Sequence, residues 1–263
     1  MTTAESLPGA LAEPVEPVGR GWTAALSLAN GAIWVGWFGP LQILLASQAE
    51  DFAPGSGMSK ETTLAWVTGV GAVVSLVANP LFGALSDRTT ALLGRRTPWI
   101  VACAAGGALS LLLLLADAGG VWTMTLGWCL VQLTLNAAFA AVTAAVPDRV
   151  PRLQRGAVGG WLGAAQILGV VVGTGLATAT GGIGAGYAAC AVFTAVGVLP
   201  YVLRYPDLRL PVADRPSGHQ GQHGGAPLVP AGFGRRRGHR ERPSDQGTGT
   251  PWISRAGSVT LER

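Results

Sequence analysis

The chain reads as an all-α membrane protein of six transmembrane helices followed by a polar tail. Three observations predict this. Six apolar runs are each long enough to cross a bilayer and carry no charge through their middles. Only 12% of residues are charged, against roughly 25% in a soluble domain, and mean hydropathy is +0.40. The charges that do occur gather between the runs and at the ends, with the basic ones in alternate connections.

Residues 1–21 are acidic and proline-containing. They lack the basic segment and small-residue cleavage site of a signal peptide and read as a short cytoplasmic tail. The first run spans residues 22–46, and Gly39-Pro40 predicts a bend in it. Residues 47–61 read as the longest outer connection, with Glu50, Asp51 and Glu61 beside Gly and Pro. The second run is 62–85, with a bend expected at Pro80. The third and fourth, 98–116 and 122–146, meet at a short turn near Asp117; the fifth and sixth, 157–178 and 183–203, meet at Gly181-Gly182. Such short turns make each pair antiparallel neighbours. Residues 206–263 turn rich in Gly, Arg, Pro and His, lose any apolar period and read as a disordered cytoplasmic tail. Arg235-Arg236-Arg237 offers a polybasic lipid contact as the alternative there. Lys60 is the sole lysine, as in a GC-rich genome, and the abrupt change of character fits an out-of-frame reading of the tail.

Orientation follows from the arginines. Arg20 precedes the first run; Arg88, Arg95 and Arg96 follow the second; Arg149, Arg152 and Arg155 follow the fourth; Arg204, Arg209 and Arg215 follow the sixth. The other connections hold one basic residue, Lys60. An excess of Lys and Arg marks the cytoplasmic side, so both ends are expected inside, in a bacterial inner membrane. The net charge of +4 lies in loops and forms no basic face, which argues against a nucleic-acid partner. Cys103, Cys129 and Cys190 sit in apolar runs without metal-ligand spacing and read as packing residues. With no nucleophile–base pair, zinc set or phosphate loop, neither enzyme activity nor a cofactor or metal is expected.

Residues 79–99 join the second and third runs and gather Gly83, Asp87, Arg88, Gly94, Arg95 and Arg96 into one connection. Gly83 allows a close helix approach. Asp87 is placed to accept bonds from a helix N-terminus or an arginine, and the arginines to hold the inner surface. A charged latch of this kind biases one of two packed states. The pattern Gly83-x-x-x-Asp87-Arg88…Gly94-Arg95-Arg96 resembles the signature loop between helices two and three of the major facilitator superfamily. Five residues separate Arg88 from Gly94, and Thr97-Pro98-Trp99 follows. That longer form resembles the branch of sugar–cation symporters of the glycoside–pentoside–hexuronide and sucrose type. Pro147-Asp148-Arg149-Val150-Pro151, with Arg155-Gly156, fits the same branch. The resemblance covers about residues 22–206, one six-helix half of a twelve-helix fold. It implies alternating access by rocking of two halves, with the partner of Asp87 on the other half.

The polar residues inside the runs add a separate reading. The first run carries Asn30, Trp34, Trp37 and Gln42; the second Asn79; the fourth Trp128, Gln132, Asn136 and Thr143; the fifth Gln166. The third and sixth hold no Asn or Gln. Amides in lipid are costly unless they meet a cavity or a partner. The first, fourth and fifth helices, and to a lesser extent the second, are therefore expected to face something polar; the resemblance implies a solute cavity there. Asn30, Trp34, Gln42, Gln132, Asn136 and Gln166 are its candidate lining, binding a small polar solute such as a sugar; interhelical bonding and aromatic packing are the alternative. On helix five, Gly159-x-x-x-Gly163 and Gly169-x-x-x-Gly173 favour close helix contact. No Asp, Glu, His or Lys lies at mid-depth in a run, so coupling to a proton or sodium ion falls to Asp51, Asp87, Asp117 or a second half. Beside the transporter stand two other readings: a non-transporting structural or regulatory membrane fragment, and a half that pairs with itself or a separate second half.

Overall fold

The computed structural model describes residues 13–116, 119–207 and 209. Asp117 and nearly all of the expected tail, including Arg215 and Arg235–Arg237, lie outside the described residues. Among the described residues, eight α-helices make up six spans: α1 (Arg20–Gly39), α2 (Leu45–Ser56), α3 (Lys60–Asp87), α4 (Thr97–Leu115), α5 (Gly120–Arg149), α6 (Arg152–Ala179), α7 (Ile183–Gly197) and α8 (Leu199–Arg204). A π-helical stretch, Pro40–Leu44, welds α1 to α2. Among the described residues, six helical segments are long and apolar enough to cross a membrane, and no strand occurs.

The expected outer connection of residues 47–61 is a correction. The first span stays helical to Ser56, and only residues 57–59 turn. The reason is tertiary: Gln48, a polar residue that hydropathy assigns to a loop, is 3% exposed. Its amide donates to the Leu114 carbonyl at 3.1 Å, and Tyr187 donates to its oxygen at 2.9 Å. Those bonds draw another turn or more of helix into the bundle. Gly57, with φ of 70°, then ends α2, and Ser59 caps α3 by accepting from the Thr62 amide at 3.2 Å. The bend expected at Gly39-Pro40 takes the form of the π turn, as proline cannot donate to the helical ladder. Helix α3 continues through Pro80, and α5 through Pro147.

Helix α1 packs mainly on α6 and α7, α5 on α3 and α4, and α4 also on α7. Glycine sets the closest approach. A Cβ on Gly169 would lie 2.6 Å from the Gly31 carbonyl oxygen, and one on Gly173 would lie 2.9 Å from the Gly39 nitrogen. The α1–α6 contact is thus backbone against backbone. The other pair, Gly159 and Gly163, meets open space. The first and fourth spans are the most buried, and the second and fifth the least. Helix α3 therefore leaves Val73, Leu76, Val77 and Leu81 uncovered, and α6 leaves Trp161, Ile167, Leu168 and Val171.

Candidate functional site

The end of α3 and the start of α4 bring the charged loop into one network. Arg96 is the residue just before α4, and its side chain turns inward, leaving the residue 3% exposed. Its Nε donates to Asp148 Oδ2 at 2.8 Å, Nη1 to Ser86 Oγ at 2.5 Å and Nη2 to Asp87 Oδ1 at 2.5 Å. Arg95, also buried, reaches Asp148 Oδ1 at 2.6 Å. Asp148, in the last turn of α5, therefore holds both arginines and ties α3, α4 and α5 at one end. Burial alone disfavours the Arg96 charge; the bonds and fields of Asp148 and Asp87 outweigh it and hold the guanidinium above its ordinary range. Asp87 thus finds a partner within this chain, whereas the sequence reading assigned it one on a second half. The Asp87 side chain remains 55% exposed.

A third carboxylate was missed in the sequence. Asp207, just beyond the sixth span, accepts from the backbone N–H of Arg96 and, at 3.3 Å, from that of Thr97. It caps α4 from across the fold, a favourable place for an anion. Gly94 makes room for it: its φ is 98°, and an added Cβ would lie 2.9 Å from the Asp207 Cγ. The available signal was a lone acid directly after the sixth run, on a face otherwise rich in arginine. Of the other loop residues, Arg88 is exposed at the end of α3, and Gly83 has no neighbour within 4 Å of an added Cβ.

In the second motif, Arg155 folds back and donates to the Val150 and Pro147 carbonyls at 2.9 and 3.2 Å, satisfying the end of α5. Arg149 lines a cavity with Asp148, Glu13 and Tyr205, while Gly156 faces open space. Gln154 exchanges two bonds with the Val18 backbone, at 2.9 and 2.8 Å, and Arg152 pairs with Glu13. The segment before α1 is thereby fastened to the start of α6.

The amides within the spans fall into separate sets. Asn30 is fully buried and donates to the Leu162 carbonyl at 3.0 Å; its Oδ1 has no partner. Asn136 donates to the Gln132 side chain at 3.2 Å and accepts from Ser75 Oγ at 3.2 Å, bridging α5 to α3. Gln42 is exposed and Gln166 half-buried. Trp34 stacks on Phe38 with centroids 4.9 Å apart, and Trp34, Trp37 and Phe139 meet edge to face. The indole N–H groups of Trp34, Trp37 and Trp128 are buried without a partner. Trp128 lies in the α3–α5 contact against Gly71, where an added Cβ would sit 2.6 Å from its Nε1.

Six apolar spans with an arginine-bearing loop locked at one end describe the architecture; sequence comparison supplies the family. The model of the Major Facilitator Superfamily matches residues 26–254. The chain belongs to that superfamily. No curated protein matches it. Members of the Major Facilitator Superfamily are membrane solute transporters, and the match takes in all six spans of this chain and runs on past the sixth.

Proposed function

We propose that the six spans form one half of an alternating-access secondary transporter in a bacterial inner membrane, with both ends inside. It carries a small polar solute, a sugar together with a proton or sodium ion, and works against a second six-helix unit. The observation that carries the reading is the network in which buried Arg95 and Arg96 pair with Asp148 and with Asp87 in a chain of this family. Such a network locks three helix ends into one rigid body, which rocking requires. The uncovered apolar faces of α3 and α6 are where the second unit packs.

Support for a polar solute lies in the orphaned groups inside the spans. The free Oδ1 of Asn30 accepts, the indole N–H groups of Trp34 and Trp37 donate, and the Trp34–Phe38–Phe139 faces stack. Gln42, Gln132, Asn136 and Gln166 complete the lining of the solute path. A sugar ring, with apolar faces and hydroxyl edges, suits that mixture.

The test is uptake of radiolabelled sugars by proteoliposomes containing the chain, with and without an imposed proton or sodium gradient. Gradient-driven uptake that falls tenfold or more in Asp87→Asn, with the protein still inserted, is expected. A chain that inserts, associates with a second unit and still moves no sugar under either gradient would remove the sugar–cation assignment.

A further inference from the structure

At the end of the bundle opposite the arginines, a cavity of about 720 Å³ opens between the end of α2 and the starts of α3 and α5. Phe52, Met58, Trp66 and Trp122 form its apolar walls. The two indoles meet edge to face with centroids 6.3 Å apart and planes at 84°. Both stay open to a ligand, Trp66 being 48% and Trp122 75% exposed. Gly57 and Gly120, with φ of 70° and 65°, shape the turns at α2 and α5 that frame the mouth.

Asp51 is the one ionisable side chain among the described residues of the lining. Its carboxylate takes no hydrogen bond or ion pair among the described residues. The neighbouring Glu50 instead takes Lys60 at 2.5 Å, which removes the nearby cation from competition for Asp51. The result is three aromatic rings, a thioether and one unneutralised negative charge around a single space. Tryptophans at this depth also serve as interfacial anchors, but anchoring does not call for a cavity or an unpaired acid.

We propose that this cavity binds a monovalent alkylammonium group. The indole faces of Trp66 and Trp122 attract the cation through their quadrupoles, and Asp51 supplies the counter-charge. A quaternary ammonium sheds water easily and offers methyl groups to Phe52 and Met58. A divalent metal ion needs several hard oxygen ligands, and no group of three candidate ligands occurs among the described residues. The carboxylate repels an anion. The ammonium has two sources: a soluble amine, or the head of a zwitterionic lipid in the adjoining leaflet. This assignment stands apart from the transport reading.

The test uses the full chain in maltoside micelles, titrated with tetramethylammonium and choline and followed by calorimetry and saturation-transfer NMR. Saturable binding is expected, with 3,3-dimethylbutanol, the neutral isostere of choline, roughly tenfold weaker or worse. Asp51→Asn and Trp66→Ala should each lower affinity roughly tenfold, and Asp51→Glu should keep it. Helix content by circular dichroism and a single peak on size exclusion qualify each variant; if Trp66→Ala fails them, Trp122→Ala takes its place. No saturable binding by the folded chain, equal binding of the neutral isostere, or unchanged affinity in Asp51→Asn would overturn the proposal. Nanodiscs separate the sources. Tetramethylammonium binding that is lost on changing phosphatidylglycerol for phosphatidylcholine assigns the site to a lipid head, and binding that persists assigns it to a soluble amine.

Discussion

Arg96 shows how far one side chain can organise a membrane protein's end. Its guanidinium makes three side-chain bonds while almost fully buried, and Asp148 shares its two oxygens between Arg95 and Arg96. Removing one partner of such a buried group leaves the other charge uncompensated, at a cost of about 3–5 kcal/mol. Asp148→Asn should therefore lower the melting temperature of the solubilised protein far more than Glu50→Gln. The latter breaks an exposed pair worth about 0–1 kcal/mol. Equal losses would contradict the burial argument. A pH prediction follows from the raised Arg96 pKa. A cation held above its ordinary value contributes stability that is complete below that ordinary value and lost only as pH rises through the higher folded value. The penalty of Arg96→Gln should thus be the same at about pH 7 and about pH 10, measured by thermal unfolding. A penalty that shrinks at alkaline pH would mean that another group dominates.

Helices carry the next set of consequences. Gly169 and Gly173 hold α6 against the α1 backbone, while Gly159 and Gly163 face open space. An added methyl at Gly173 meets backbone atoms that cannot rotate away, and overpacking of this kind costs about 1–3 kcal/mol. Gly173→Ala should destabilise by that amount, and Gly159→Ala should leave the isolated chain within about 0.5 kcal/mol. Thermal shifts of the two variants side by side decide the matter. Both glycine pairs look alike in the sequence; only the neighbouring helix separates them. The same limit explains the other differences. The six spans were legible because hydropathy is a local property of each run. The helical residues 47–56 were not, because Gln48 becomes a core residue only when Leu114 and Tyr187 arrive from distant spans. Asp87 and Asp148 stood out as acids beside arginines, but Asp207 is 111 positions from Arg96 and fell in a segment assigned to the tail.

For the whole molecule, charge is segregated to one end. The basic residues at the ends of α3 and α5 and the start of α6 share one end of the bundle, and the turn at residues 57–59 lies at the other. With both ends inside, as proposed, cysteines replacing the exposed Arg88 and Arg152 should resist a membrane-impermeant maleimide in intact cells. A cysteine at Ser59 should react. Labelling of Arg88→Cys from outside would invert the orientation and remove the inner-face role proposed for the arginine network.

The widened turn at Pro40–Leu44 has one more effect. Leu45 donates to the Pro40 carbonyl five residues back, so the turn holds one residue more than a regular α-helical one. Everything past it is rotated in phase relative to the shaft below. Were the same residues wound as a regular α-helix, Gln48 would swing roughly 100° away from Tyr187 and Leu114, whereas deleting one residue together with the bulge would leave its facing unchanged. The first span is therefore timed like a cam, and the width of that one turn sets which side of its far half meets the bundle.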